Sequence, residues 1–479
     1  MTRFRARSLL RAPRAEVWAF HENPGAFERL VPPWQTLSVL SSVGPLATRR
    51  LVFSIHAGPA RLTWVAQHEG YVAGERFTDR MARGPMRSWV HQHALSDAPH
   101  APDAAPDPGA CVLDDRLAVE FPFGPLGALA HGPFARQLGR LFAFRHARTE
   151  HDAQRHAAWR SLPRLRVVVC GASGLIGSEL VPYLLNAGHA VSVLTRPGAP
   201  ARWPGLPVRA HTWDPQRGLL DPAALAGADA VVNLCGLNLR ARWSQANRAR
   251  FLDSRAGPTA LLARTMARMT DGPRVLLSAS GVSGVADQRL APLPESAPLE
   301  DTTLGRIVAA WEAAAEPART AGLRTASIRL GAVLSARGGA LAALAGAFRL
   351  GAAFCPGDGG QVFPWLTLDD ALAVFEHALH DGSCAGPINA VCPTRTTMDD
   401  LTRTLARVLR RPRLGRVPAA VVRRLMGEQS SVVLGSCWVD PSALRSRGFV
   451  FRHTDLETAL RLELGRCAPI GGPWTPEPA

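Results

Sequence analysis

Residues 167–196 read VVVCGASGLIGSELVPYLLNAGHAVSVLTR. A run of small strand formers, Val167 to Cys170, ends in a turn marked by Gly171, Gly174 and Gly177. An apolar-periodic helix follows through Ile176, Leu180, Leu184 and Leu185 and is closed by Gly188. A second strand, Val191, Val193 and Leu194, ends at Arg196. This is a βαβ unit whose first turn can hold a pyrophosphate. Gly171 permits the tight turn, Gly174 lets the main chain approach phosphate oxygens, and Gly177 lets the helix pack on the strand. The helix start then offers free N–H groups and a partial positive charge to an anion.

The tip of the second strand bears on the choice of dinucleotide. A carboxylate there would bind a ribose 2′-hydroxyl, whereas a guanidinium suits a 2′-phosphate. The chain has Thr195 and Arg196, so NADP is expected over NAD. The GxxGxxG spacing resembles the short-chain dehydrogenase/reductase superfamily.

Downstream of Leu165, strand and helix patterns alternate, which predicts a parallel, doubly wound sheet. Strands are expected at Ala230–Leu234, Arg274–Ser280, Arg324–Leu330 and Pro387–Val391. Helices are expected over 244–269, 340–350, 369–381 and 397–410, with VPAAVVRRLMGE as a later helix. The Rossmann-type domain is bounded at 164–411, and 412–470 is read as a small C-terminal subdomain.

The first part of the chain is different. Strand-like stretches at Phe4–Leu10, Leu37–Val43, Arg50–His56, Ala60–His68, Glu75–Arg80, Ser88–Ala94 and Cys111–Phe121 predict an antiparallel sheet. A short helix opens near Pro13, and a long amphipathic one runs from Pro133 to about Trp159. Residues 96–110 read as a mobile hairpin loop. This α+β domain, 1–158, resembles the START-like helix-grip superfamily of polyketide cyclase/dehydrase type through EVWAFHENPGAFERLVPPW, Glu16 to Trp34. The resemblance implies an apolar cavity with an apolar ligand as its occupant; Trp18, Phe20, Trp34, Trp64 and Trp89 are candidate lining, with plain core packing as their competing and favoured role. His91 and His93 alternate onto one strand face. A metal needs a third ligand that the sequence does not place, so no metal is assigned.

From GASGLIG (171–177) onward, further motifs accumulate: LTR at 194–196, TWDP at 212–215, NLCG at 233–236, DSR at 253–255, SASGVSG at 278–284, WEAAA at 311–315, RLGAVLSARGGAL at 329–341 and FPWLTLDD at 363–370. Over roughly 165–465 the chain resembles the atypical extended short-chain dehydrogenase/reductases of the epimerase-like, YfcH-type family. Its fusion to a helix-grip domain is similar to a bacterial variant of that family. The resemblance implies that Gly171, Ser173, Gly174, Leu175, Ile176 and Gly177 hold NADP, with Thr195 and Arg196 at the 2′-phosphate. It also implies Leu234, Cys235 and Gly236 beneath the riboses and Arg255 at the phosphates. Arg329, Trp365 and Asp370 would build the substrate side, although the pair Asp369-Asp370 opens the 369–381 helix, where stabilising its N-terminus is favoured over catalysis.

One departure matters. Short-chain dehydrogenases usually use a Tyr-x-x-x-Lys pair, the lysine lowering the tyrosine pKa for proton transfer, although the epimerase-like family tends to lack that lysine. All 55 basic residues here are arginine, and the two tyrosines are Tyr71 and Tyr183. Leu304 and Val308 stand where the pair would fall. Ser278 is the remaining catalytic candidate, with ordinary strand-end hydrogen bonding as its competing role. The expected function is an NADP-binding oxidoreductase or epimerase-like protein acting on a small molecule. A non-catalytic NADP-binding regulator or scaffold is the alternative.

Composition narrows the partners. The formal charge is +16, but the arginines are dispersed and aromatics are only 6%, so no nucleic-acid partner is expected. No apolar run reaches the ~18 residues of a membrane span. Eight cysteines without metal spacing, and no recognisable signal peptide, predict a reducing cytoplasm. Substrate and oligomeric state are left open by these motifs.

Overall fold

The computed structural model describes residues 2–57, 60–99, 107–122, 131–200, 202–471 and 475–476. Part of the expected hairpin loop, 100–106, lies outside the described residues.

The N-terminal elements run β1 (Thr2–Leu10), α1 (Arg14–Glu22), α2 (Ala26–Arg29), β2 (Leu37–Val43), β3 (Arg50–Ala57), β4 (Ala60–Val72), β5 (Arg76–Arg83), β6 (Ser88–Asp97), β7 (Cys111–Glu120) and α3 (His131–Ala157). Among the described residues, these strands and β19 (Thr475–Pro476) form an antiparallel sheet in the order β19-β1-β7-β6-β5-β4-β3-β2. Helix α3 packs its apolar face, Leu138 and Phe142, on Phe4, Leu117 and Val119 of β1 and β7.

Strand β8 (Arg166–Cys170) begins the second half. It continues with α4 (Gly177–Asn186), β9 (Ala190–Thr195), β10 (Arg209–Thr212), β11 (Ala230–Asn233), α5 (Gln245–Ala267), β12 (Val275–Gly281), α6 (Thr303–Ala313), α7 (Glu316–Thr320) and β13 (Arg324–Leu330). Then come β14 (Ala332–Leu334), α8 (Gly339–Arg349), β15 (Phe354–Pro356), β16 (Trp365–Thr367), α9 (Leu368–His380) and β17 (Gly386–Ala390). The chain closes with α10 (Met398–Leu409), β18 (Gly415–Val417), α11 (Ala419–Met426), α12 (Ser431–Leu434), α13 (Ser442–Ser446) and α14 (Leu456–Glu463). The parallel sheet has the order β10-β9-β8-β11-β12-β13-β17. The order reverses between β8 and β11, which opens the crevice where such sheets bind ligands. Val167, Val168, Val169, Val231, Val232, Leu276 and Leu277 are buried, because helices cover both faces of a parallel sheet.

The segment read as a C-terminal subdomain packs against the rest of the chain. Leu444, Phe449 and Phe451 join the core beneath α4 and α9, and Leu456, Ala459 and Leu460 pack with Leu401 and Leu405 of α10. Among the described residues no helix is long and apolar enough to cross a membrane.

The two sheets meet through α4. Gly25 precedes α2 at φ +92°, and a Cβ there would lie 2.3 Å from the carbonyl oxygen of Pro182. Asn23 donates to the Asn186 carbonyl (2.7 Å), and Asn186 donates to that of Phe20 (2.8 Å). Arg29, fully buried, donates to Asp152 through Nε (2.7 Å) and Nη2 (3.1 Å), to Glu179 (3.0 Å) and to Asp369 (2.9 Å). Arg148 Nε lies 3.0 Å from Asp369, and Arg337 pairs with Glu179.

Candidate functional site

The crevice at the carboxyl edge of the parallel sheet is built by the turn from β8 into α4. Gly171 has φ +72°, which favours glycine, and a Cβ there would lie 2.6 Å from the Leu234 carbonyl. A Cβ on Gly177 would lie 2.5 Å from the Gly171 oxygen, so the helix starts hard against the strand end. The Gly174 amide donates to that same oxygen (3.0 Å), closing the turn. Ser173 and Gly174 are exposed, and Leu175 and Ile176 are half-buried. The result is bare main chain at a helix N-terminus, a surface that fits a pyrophosphate.

Three further elements flank this turn. At the tip of β9, Thr195 is half-buried with its Oγ1 3.5 Å from the His211 carbonyl. Arg196 beside it is exposed and makes no ion pair among the described residues. After β11 the chain turns through Leu234, Cys235 and Gly236. Buried Asn233 fixes this turn: its Oδ1 accepts from the Cys235 amide (3.2 Å), while its Nδ2 donates to Thr259 (2.8 Å). Burial pushes the Cys235 thiol up to about 12, so it is a neutral wall and not a nucleophile.

Arg255, from α5, lies under Gly236, where a Cβ would be 3.2 Å from its guanidinium carbon. It donates to the carbonyls of Leu237 (2.9 Å) and Phe251 (3.0 Å), and its guanidinium lies over the Trp311 ring at 5.1 Å. No carboxylate pairs with it among the described residues. Burial alone lowers its pKa, to about 10. A half-buried guanidinium beside bare main chain at a helix N-terminus suits a phosphate.

Ser278 sits inside β12, buried, accepting from Asn233 Nδ2 (3.4 Å) and donating to the Ala279 carbonyl (3.2 Å). Its hydroxyl is spent on the sheet interior. Nearer the strand end, Ser280 donates to Glu312 (2.7 Å), and Arg329 grips the same carboxylate through Nε and Nη2, both at 2.8 Å. Glu312 was not singled out from the sequence; its position two helical turns after Leu304 was the available signal. Leu304 and Val308 are buried, Leu304 packing with Trp243, Phe251 and Ile307.

Trp365 differs from the substrate-side expectation, and Asp370 follows the helix-start reading instead. Trp365 is core, donating from Nε1 to Thr396 (2.8 Å). Asp370 is buried at the start of α9, bonded to Thr367 and accepting from the amides of Arg452 (3.0 Å) and His453 (3.1 Å). Both are turned inward by packing, which leaves Arg329 as the member of that trio at the sheet edge. Tyr71 donates to Glu22 and Tyr183 to Glu376, each at 2.5 Å, away from the crevice.

A second concavity lies between the antiparallel sheet and α3, with a volume of about 310 Å³. Trp34, Phe53, Trp64, Trp89, Leu141 and Phe142 line its apolar walls. Trp18 and Phe20 do not line it; Trp18 packs on Tyr71 and Phe77 in the sheet core. Its polar end carries Asp79, His91, His93 and Arg145.

Fold and crevice together define a dinucleotide-binding protein of the doubly wound α/β class. The model of the NAD dependent epimerase/dehydratase family matches residues 167–390, and that of a domain of unknown function, DUF1731, matches 417–462. An epimerase family protein of Mycobacterium bovis is 34% identical over 297 residues, 61% of this chain and 96% of that one. The chain belongs to this NAD-dependent epimerase family. The crystal structure of a nucleoside-diphosphate sugar epimerase from Corynebacterium glutamicum aligns with a TM-score of 0.75 at 29% identity, over 96% of this chain and 90% of that one. That alignment therefore runs across the antiparallel sheet as well. The human epimerase family protein SDR39U1 with NADPH aligns with a TM-score of 0.55 at 29% identity, over 63% of this chain and 99% of that one.

Proposed function

We propose that this chain is an NADP(H)-dependent oxidoreductase or epimerase-like enzyme acting on a small molecule bound at the carboxyl ends of β12 and β13. The observation that carries this reading is a pair of arginines, Arg196 and Arg255, that have no carboxylate partner among the described residues and flank the glycine turn. Gly171, Ser173, Gly174, Leu175, Ile176 and Gly177 would hold the pyrophosphate. Thr195 and Arg196 would take the 2′-phosphate, Leu234, Cys235 and Gly236 would lie under the riboses, and Arg255 would neutralise phosphate charge. The NADPH bound by the human relative supports the same choice. The cofactor supplies hydride chemistry when bound, and the chain orients the substrate against it. The Ser280–Glu312–Arg329 group would position a polar substrate atom.

A second reading is favoured by one observation. Leu304 and Val308 are buried apolar residues where a proton-transferring pair would stand, which suits an NADP-binding regulator or scaffold. NADPH consumption across a panel of carbonyl compounds and nucleotide sugars separates the two. Saturable NADPH binding without turnover on any of them would decide for the regulator.

We propose further that residues 1–158 form a START-like helix-grip domain whose cavity takes an apolar ligand, and that the protein works in the cytoplasm. The boundaries 164–411 and 412–470 remain our sequence-based division of the rest. The test of the cofactor assignment is Arg196→Ala, followed by fluorescence titration with NADPH and NADH. NADPH affinity should fall at least about tenfold, with little change for NADH. Equal loss for both would refute the 2′-phosphate role.

A further inference from the structure

The polar end of the N-terminal cavity has a donor set that the family assignment does not use. Alternation along β6 turns His91 and His93 to the same inward face. The β5–β6 register sets Asp79 opposite His91 and Phe77 opposite His93, so Asp79 joins them on that face. Asp79 Oδ2 lies 3.1 Å from His91 Nδ1 and 3.5 Å from His93 Nε2, and the three donor atoms all fall within 4.8 Å of one another. Metal–ligand bonds of about 2.0–2.1 Å arranged tetrahedrally put neighbouring donor atoms about 3.3 Å apart, between these two separations.

The surroundings support the same reading. The far nitrogens of both rings approach one carboxylate oxygen, Asp115 Oδ1: His91 Nε2 at 3.0 Å and His93 Nδ1 at 2.6 Å, the latter off the line of a good hydrogen bond. The other oxygen of Asp115 is 2.6 Å from His146 Nε2, and His146 Nδ1 is 2.8 Å from Ser8 Oγ. A carboxylate behind the ligating imidazoles is the arrangement that orients histidines toward a metal. Asp79 lines one end of a largely apolar cavity with Asp115 behind the two rings; buried Arg145 lies in the field of both carboxylates, but among the described residues no arginine forms a salt bridge with either. His21, buried at the same end, keeps its Nε2 without a hydrogen-bond partner among the described residues.

We propose that Asp79, His91 and His93 form a site for a divalent transition-metal ion, with its open coordination position facing the cavity. Two imidazoles and one carboxylate suit zinc or ferrous iron, not calcium or magnesium. Asp115 is a positioning residue, holding both rings from behind. The site is independent of the dinucleotide crevice.

The test uses the full-length chain without an affinity tag, stripped with chelator and titrated with Co2+. One equivalent should bind saturably, with visible absorption bands of a low-coordinate nitrogen/oxygen site, and Zn2+ should displace it. Asp79→Asn and His93→Gln each keep shape and are checked by an unchanged melting profile and NADPH titration. Each should weaken Co2+ binding at least about tenfold and abolish the bands. If Co2+ does not bind, or binds with the same stoichiometry and spectrum in both variants, the proposal is overturned. That second outcome would move the metal to another cluster, such as His189, Glu376 and His380.

Discussion

Replacing Arg29 by methionine tests whether the ionic cluster between the two sheets holds them together. Arg29 has no exposed side-chain surface and donates four hydrogen bonds to three carboxylates. With Arg148 and Arg337 it balances Asp152, Glu179 and Asp369, three charges against three. Removing one partner of a buried ion pair costs about 3–5 kcal/mol, because a carboxylate is left desolvated. Arg29→Met should therefore lower the melting temperature by roughly 3–5 °C. It should also uncouple the halves, so that cavity tryptophan fluorescence and NADPH binding are lost in separate transitions.

The sign of the pH dependence adds a second check. Burial opposes the charge on Asp369, and Arg148 with Arg29 overcomes it, holding the carboxyl at about 2. Burial likewise opposes Asp152, which Arg29 and His151 hold well below the usual carboxylate range. A depressed carboxyl pKa contributes stability above its unfolded value that is lost as pH falls through the folded one. In Arg29→Met these carboxyls rise instead, and protonation relieves their repulsion. The gap between variant and wild type should then narrow from pH 7 to pH 5. A variant within about 1 kcal/mol of wild type at pH 7, or a gap that stays constant on acidification, would refute the reasoning.

Glu463→Gln probes a different buried carboxyl. Burial pushes Glu463 up to about 8, with Asp369 adding to it, so its stability contribution is present below 4.5 and is lost as pH rises through 8. The glutamine cannot ionise and can still accept from the Ala336 amide; it should match wild type at pH 5 and exceed it at pH 9 by on the order of 4 kcal/mol in denaturant titrations. Gly171→Ala places a side chain at φ +72° and against the Leu234 carbonyl, which should cost about 1–3 kcal/mol and weaken NADPH binding; unchanged affinity would show that the turn does not touch the nucleotide. Arg255→Met removes a cation that no carboxylate pairs with among the described residues, so NADPH affinity and its salt dependence should fall while the melting profile holds. A large loss of stability with affinity intact would make Arg255 a structural clamp for the 234–237 turn.

The crevice was legible because its determinants are local. Gly171, Gly174 and Gly177 sit within one turn, and the alternation of apolar runs with helical periods located β8, β9, β11, β12, β13 and β17 to within a residue or so. The antiparallel strands were legible for the same reason: period-2 patterning marks each one separately. Strand β10 escaped because Arg209–Thr212 is short, polar and on the sheet edge, where apolar periodicity is not required. Trp365 misled because a motif names residues without saying which way they point, whereas the helix-start reading of Asp370 agrees with its place in the first turn of α9. Thr367 caps α9, and the cap turns Asp370 into the protein and away from the sheet edge.

What the sequence concealed are contacts made across large separations. Asp79 gains its meaning only from the β5–β6 register, which no single-strand pattern specifies. Arg29 lies 340 positions from Asp369, and nothing in AFER around it distinguishes it from a surface arginine. The chain has 55 arginines, so a single one cannot be picked out by type. The restricting step is Gly25. With φ +92° and no room for a Cβ beside Pro182, it lays α2 against α4 and delivers Arg29 to Glu179. The other side of that short helix, Ala26, Phe27 and Leu30, lines the cavity. One turn of helix thus bridges the cavity wall and the helix whose N-terminus forms the nucleotide turn, and its place is set by a glycine that sequence reading treats as punctuation.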